Sequence, residues 1–201
     1  MIPMQVYNTL QVPEERAKLV EINHLIIGGG AIDDALAKEL KNFPNHVWST
    51  YGMTETLSHI ALRRLNGEDA SDWYTPFDSV NIRLSEEGTL IIHAPNVCAE
   101  ELITNDIAEI NEEGKFRILG RKDNTINSGG VKIQIEQVEA ALKAHLDIPF
   151  QITARKDAKF GEIVVLIYNK VKDEASVRQA CEEALPTYWV PKAYIAVDEL
   201  P

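Results

Sequence analysis

Cysteine is nearly absent from this chain of 201 residues, and the two that occur, Cys98 and Cys181, lie far apart in no spacing that a metal site uses. That scarcity fits a reducing compartment in which both are small apolar side chains. No apolar run approaches the ~18–20 residues of a membrane-spanning helix, and the opening MIPMQVYNTL lacks the basic start of a signal peptide. The expectation is a cytoplasmic protein without membrane contact. Basic residues are also in deficit: 20 Lys and Arg face 31 Asp and Glu, for a net charge of −11. Nucleic-acid surfaces need clustered Lys and Arg to displace counterions, so no nucleic-acid partner is expected. Internal repeats and low-complexity tracts are missing as well. What remains, 45% apolar and 25% charged, is an ordinary globular composition.

The charge is uneven along the chain. Residues 1–120 hold 9 Lys and Arg against 19 Asp and Glu, a net of −10, whereas residues 121–201 hold 11 against 12, a net of −1. This asymmetry predicts two units, 1–120 and 121–201. In the first, His24 to Ile27 reads as a buried strand, Gly28-Gly29-Gly30 as a loop, and the stripe Leu36, Leu40, Phe43 as a helix capped by Asp33 and ended by Pro44. Val47 to Thr50 is a second strand, parallel to the first. From Val80 the apolar period becomes two: Val80, Ile82 and Leu84, a turn at Glu86-Glu87-Gly88, and Thr89 to Ile92 form a hairpin, and residues 107–118 repeat the pattern. The fold class is therefore α/β, a βα unit plus an antiparallel β unit. A polar segment, GRKDNTINSGG, leads into a small α+β domain with helical stripes at Ile135, Val138, Leu142 and at Val177, Cys181, Ala184, and strands at 162–168 and 193–197.

Four stretches carry candidate chemistry. In IIGGGAID, glycines after a strand let a backbone approach a flat ligand or a phosphate, although a plain strand-to-helix turn uses them equally. In STYGMTE, residues 49–55, Tyr51 beside Gly52 offers a ring face, Thr54 a hydroxyl for an anionic oxygen, and Glu55 a carboxylate for a hard cation; a helix N-terminus reads the same way. In ITNDIAEI, Asp106 precedes a strand and is placed to accept from two sugar hydroxyls, or to form a turn. In LGRKDNTINSGGVKIQIEQVE, Arg121 offers a planar fork of donors, Gly129 and Gly130 close backbone approach, and Lys132 a cation, while a solvated linker has the same composition.

Taken in this order, GGGA, YGMTE, TND and GRKDN…SGG…VE resemble the adenylate-forming superfamily of acyl-CoA synthetases, peptide-synthetase adenylation domains and luciferases. The resemblance runs from about residue 24 to the end of the chain. It implies an ATP-dependent acid–thiol ligase in which a carboxylate attacks ATP to give an acyl-adenylate and pyrophosphate, before the acyl group passes to a thiol such as coenzyme A. It also implies the C-terminal part of the family's large domain followed by its small mobile domain. By that resemblance Gly29, Gly30, Ala31, Tyr51, Gly52 and Met53 line the ATP or AMP site. Thr54 touches the α-phosphate, Glu55 holds Mg²⁺, Asp106 grips the ribose with Arg121, and Ile118 packs near the sugar. Asp123 falls at the hinge, and Gly129, Gly130 and Lys132 face coenzyme A.

Two departures qualify the resemblance. The family's Ser/Thr/Gly-rich phosphate loop has no counterpart before residue 49, and its Gly-Lys pair, expected shortly after a segment like VDELP, has none before Pro201. The expectation is a fragment of a longer large-plus-small-domain protein that does not adenylate by itself. YGMTETLSHIA, GRKDN and IQIE look most like the 2-succinylbenzoate–CoA ligases of menaquinone synthesis, with Ser58 and His59 at the acyl pocket. A synthetase for another aryl or fatty acid, or a non-catalytic AMP- or partner-binding module, is the alternative. The partners implied are a small carboxylic acid, ATP and coenzyme A. The sequence leaves the oligomeric state open, a homo-oligomer included.

Overall fold

A computed structural model describes residues 1–200, the Asp34 side chain excepted. The chain forms two compact units: residues 1–104 with 108–118, and residues 105–107 with 119 onward. The first begins with two short helices, α1 (Pro3–Leu10) and α2 (Pro13–Glu21). Each starts on a proline, whose fixed φ suits a first helical turn and whose missing N–H is not needed there. There follow β1 (His24–Ile27), α3 (Asp34–Leu40), β2 (His46–Gly52), β3 (His59–Arg64) and β4 (Thr75–Pro76), in a sheet of order β1-β2-β3-β4. The expected parallel pair is present: β1 and β2 run in register from His24↔His46 to Ile27↔Ser49. The Asp33 carboxylate caps α3, accepting from the N–H groups of Ala35 and Leu36 at 2.9 and 3.0 Å.

Alternation decides which face of this sheet is covered. Leu25, Ile27 and Val47 are buried with Val6, Leu36 and Leu40 of the helices. The intervening His24 and Ile26 point the other way and are exposed. One buried side chain ties the turns together: the Asn66 amide donates to the carbonyls of Phe43 and Asn45, and its oxygen accepts from the Val47 N–H.

A second sheet, of order β5-β6-β7-β8, comprises β5 (Asn81–Leu84), β6 (Thr89–His93), β7 (Leu102–Ile110) and β8 (Phe116–Arg121). The hairpin of β5 with β6 is antiparallel as the period of two predicts. One expectation needs correcting. Asp106 does not precede a strand but lies inside β7, because Thr104 and Ala108 on either side of it are buried at strand spacing. The Thr104 hydroxyl donates to the Leu90 carbonyl at 2.8 Å, which lets a turn-like polar run continue as a strand.

In the second unit, β9 (Thr125–Ser128) and β10 (Val131–Gln134) form an antiparallel hairpin. The polar 119–130 segment is thus ordered structure rather than a solvated linker. Then come α4 (Ile135–Leu142), β11 (Phe150–Asp157), β12 (Gly161–Asn169), α5 (Glu174–Ala184) and β13 (Ala193–Val197). Strand β12 pairs antiparallel with β11 and parallel with β13, and meets β9 at Gly161↔Ser128. One core joins Ile133, Val138, Leu142, Leu166 and Val177, all fully buried. Among the described residues, no helix is long and apolar enough to cross a membrane.

Candidate functional site

The loops that follow β1 and β2 lie side by side because the strands are parallel neighbours, the usual place for a ligand on such a sheet. They border an open cavity of about 710 Å³ in the first unit. Of the sequence candidates it brings together Gly29, Gly52, Met53, Thr54, Ser58 and His59. It adds Met1, Ile2, Ile26, Gly28 and Thr50, which the sequence reading did not single out. Gly30, Ala31, Tyr51 and Glu55 are outside its lining.

Backbone geometry makes this site dependent on glycine. A β-carbon on Gly52 would stand 2.3 Å from the Ser58 carbonyl oxygen and 2.7 Å from the His59 Cα, so the loop could not return to β3 past any other residue. On Gly28 a β-carbon would fall 2.1 Å from Thr50 Oγ1, so that glycine makes room for the neighbouring hydroxyl. Gly29 has φ +78°, a conformation that favours glycine.

Where the alternative reading put a helix N-terminus, Met53 is followed by a single 3-10 turn, Thr54–Thr56, and Thr54 does not cap it. Thr56 does that work instead. Fully buried, it accepts from the Met53 N–H at 3.0 Å and donates to the Ser58 carbonyl at 2.7 Å, leaving Thr54 and Glu55 exposed on the outer side of the turn. Leu57 then takes a left-handed conformation, φ +60°, with its side chain 82% exposed. Position His59 is fixed by its neighbours: Nδ1 lies 3.1 Å from the Ser58 hydroxyl, and the ring meets the Phe77 ring edge-on at 5.6 Å.

Tyr51, on the opposite face of β2 from Thr50, packs its ring against Tyr74 and Phe116 at 5.9 and 5.1 Å. It remains half-buried, as does Ile118. Both pack against the core of Ile60, Leu90, Ile92 and Phe116.

The second unit gathers the other candidates into two places. Arg121 reaches Asp106 Oδ1 at 3.2 Å and Asp123 Oδ2 at 3.0 Å, and Asn105 Nδ2 stands 3.4 Å from the same Asp123 oxygen. The guanidinium fork therefore bridges the ribose candidate and the hinge candidate. Asp106 is the sheltered member, its side chain 14% exposed against 57% for Asp123. Gly129 and Gly130, with φ +60° and +87°, make the turn of the β9–β10 hairpin, and Lys132 is exposed two residues beyond it. The Gly129 N–H donates to the Phe160 carbonyl at 2.8 Å, which anchors the turn.

Neither cysteine belongs to either place. Burial pushes the Cys181 thiol up to about 11, so it stays protonated at neutral pH and is no nucleophile. Among the described residues, no three His, Cys, Asp or Glu side chains converge as a preformed metal centre. Glu55 alone is still the usual kind of ligand for Mg²⁺ that arrives with phosphates, since that ion is commonly held by one or two carboxylates plus substrate oxygens.

No family model matches the chain. Its fold is that found in AMP-forming acyl-CoA synthetases: all of it aligns with 59% of the acyl-CoA synthetase (AMP-forming)/AMP-acid ligase II-like protein of Dyadobacter fermentans, at 31% identity and TM-score 0.61. All of it also aligns with 48% of the O-succinylbenzoate coenzyme A synthetase of Bacillus subtilis, solved in complex with ATP and magnesium ion, at 22% identity and TM-score 0.73. The second likeness is one of fold. Among curated proteins, the 2-succinylbenzoate–CoA ligase of Geobacillus kaustophilus is 29% identical over 208 residues, covering 88% of this chain. The chain spans 42% of that relative's length. The motif resemblance to the adenylate-forming enzymes thus has relatives among 2-succinylbenzoate–CoA ligases and the matching fold beneath it.

Proposed function

We propose that these residues are the nucleotide-facing and hinge-bearing part of an ATP-dependent carboxylate–CoA ligase that works through an acyl-adenylate, with 2-succinylbenzoate as the acid. The observation that carries the reading is the cavity between the loops after β1 and β2, where Gly28 and Gly29 meet Thr54, Ser58 and His59 from 25 and more residues away. Gly28 and Gly29 present backbone to the adenine at the cavity's edge, and by the motif Gly30, Ala31 and Tyr51 complete its surroundings from outside the lining, the Tyr51 ring turning from Tyr74 and Phe116 when the nucleotide binds. Thr54 donates to an α-phosphate oxygen, where charge builds as the carboxylate attacks. Mg²⁺ offered to Glu55 offsets phosphate charge when bound. Asp106 accepts from the ribose hydroxyls, and Arg121 holds its carboxylate in place. In the same cavity Ile26, Thr50, Ser58 and His59 face the acyl group, and the His59 imidazole hydrogen-bonds a second carboxylate of the acid.

Asp123 is the hinge. Rotation there would bring the Gly129–Gly130 turn and Lys132 to the thiol of coenzyme A for the second half-reaction. The exposed, positively φ-turned glycines suit close approach of a pantetheine-like arm, and the exposed lysine suits its phosphates.

Calorimetric titration of the chain with AMP, with ATP and Mg²⁺, and with 2-succinylbenzoate tests this. Saturable binding of AMP, weakened about tenfold by Thr54→Val for ATP, is expected. No binding of either nucleotide overturns the adenylation reading. Equal affinity for 2-succinylbenzoate and for benzoate, unchanged in His59→Ala, would keep adenylation and remove the assigned acid.

A further inference from the structure

On the face of the β1–β4 sheet that the helices leave open, toward the strand ends away from the cavity just described, four side chains stack across three strands. The His24 and His46 rings lie face to face with centroids 4.8 Å apart and planes 17° from parallel. Trp48 continues the stack at 6.5 Å from His24, and its indole N–H donates to His24 Nδ1 at 3.2 Å. The Arg64 guanidinium covers the other end, 5.0 Å from the Trp48 ring. The register produces the order: His24 pairs with His46 in the parallel ladder, and Trp48 pairs with Arg64 in the antiparallel one.

The tautomer of His24 follows from this contact. An indole nitrogen can only donate, so His24 Nδ1 must carry a lone pair, and its proton sits on Nε2. Protonation of His24 turns that acceptor into a second donor aimed at the Trp48 N–H. It also puts positive charge against His46 and brings a second cation to the indole that Arg64 already covers. The charged and titratable neighbours are few. From β2 there is His46, and from β3 there is Arg64, whose Nε is bound to the neutral Asn66 oxygen at 2.9 Å. Glu68 and Asp69, on the loop after β3, line the same cavity as Trp48 and Arg64, of about 760 Å³, but form no ion pair with the stack. Helices α1 to α3 pack on the opposite face.

We infer that the His46–His24–Trp48–Arg64 stack is an acid-sensitive latch: protonation of His24 breaks its bond to Trp48 and loosens the indole, which lines the cavity together with Arg64. Acidification then acts on β1 and β2 at the ends opposite the Gly28–Gly29 and Tyr51–Gly52 loops, while leaving those loops' own contacts intact.

The test is the emission of Trp48 in the chain carrying Trp73→Phe and Trp189→Phe, titrated from pH 8 to pH 5, with the indole N–H resonance followed in parallel. The latch predicts a reversible change of Trp48 emission between pH 8 and pH 5 and loss of the hydrogen-bonded N–H signal. In His24→Gln, whose amide oxygen accepts without titrating, the change should vanish. In His46→Gln, which leaves the Trp48–His24 bond in place, it should persist. An unresponsive Trp48, or a response that survives His24→Gln, overturns the latch. Far-ultraviolet circular dichroism at each pH separates the local event from unfolding: a response that coincides with loss of strand signal also overturns it.

Discussion

The two units solve the problem of a small core differently. In the second, α4, α5 and the inner faces of β9, β10 and β12 share one continuous cluster that includes Ile133, Leu142, Leu166 and Cys181. In the first, two clusters are separate: one lies beneath α1 to α3, and the other between the two sheets around Phe116. The first unit also exposes Ile26 by 43% and Phe77 by 38%. The difference teaches how each unit holds its candidate residues. The first uses loops held by buried polar side chains, Thr56 and Asn66, whereas the second relies on apolar packing and presents the Gly129–Gly130 turn and the Arg121–Asp123 pair on its surface.

Core truncation in the second unit should break this contrast most visibly. Leu166→Ala, at a site with no exposure, is expected to cost about 2–5 kcal/mol. Urea unfolding followed by Trp189, which packs against that cluster, would report it. An equal shift in the emission of Trp48 and Trp73, which belong to the first unit, would show that the two cores unfold as one.

Asn66→Ala comes next, at about 1–3 kcal/mol, because it strands the Val47 N–H and two carbonyls away from water. It should shift the Trp48 transition and spare that of Trp189. Asp33→Ala, which uncaps α3, should lower the first unit's stability by about 1 kcal/mol, and Asp33→Ser should recover most of it.

Acid should produce the smallest effect, and one that differs between the units. Three aspartates of the second unit are held below the usual carboxylate range: Asp147 by the Lys172 ammonium, Asp157 by the N–H groups of Phe160 and Lys159, and Asp173 by the Ser176 N–H and hydroxyl. In the first unit Glu113 is lowered in the same way by Lys115. For each, the unfolded chain binds its proton at higher pH than the folded one. The stabilisation is therefore whole above the ordinary aspartate value of about 3.9 and is lost as pH falls through the lower folded values. Urea midpoints at pH 5 and pH 3 should fall more for the Trp189 transition than for the Trp48 transition. Asp147→Asn, Asp157→Asn and Asp173→Asn together should remove the excess.

Much of the fold was legible from local pattern. The strand at His24–Ile27, the Asp33 cap, the hairpin at 81–93 and the strand at Ala193–Val197 follow from spacing and from caps. Helices α1 and α2 escaped that reading although Pro3 and Pro13 mark their first turns, because their apolar stripes are short and most of their residues are exposed. The β9–β10 hairpin was hidden because its polar residues imitate a linker, while Ile126 and Ile133, two isolated apolar positions, carry its burial.

The candidate site divides along the same line. Gly29, Gly52, Thr54 and His59 announced themselves by motif. Thr56 and Asn66 gave no such signal, since a threonine in TET and an asparagine before glycine read as turn residues, and only burial turned them into struts. Thr50 and Gly28 depended on a relation, a hydroxyl set over a missing β-carbon across two strands.

The order of residues determined which segments become strands, where helices start, and which chemistry the chain can offer, because alternation, capping and glycine conformations act over a few neighbouring positions. Tertiary structure alone decided that Asp106 lies inside a strand and is met by Arg121, that the Tyr51 ring turns to Tyr74 and Phe116, and that two histidines, a tryptophan and an arginine stack in line. Each of these depends on which strands pair and in what register, and register is settled when buried faces find one another rather than by any local preference.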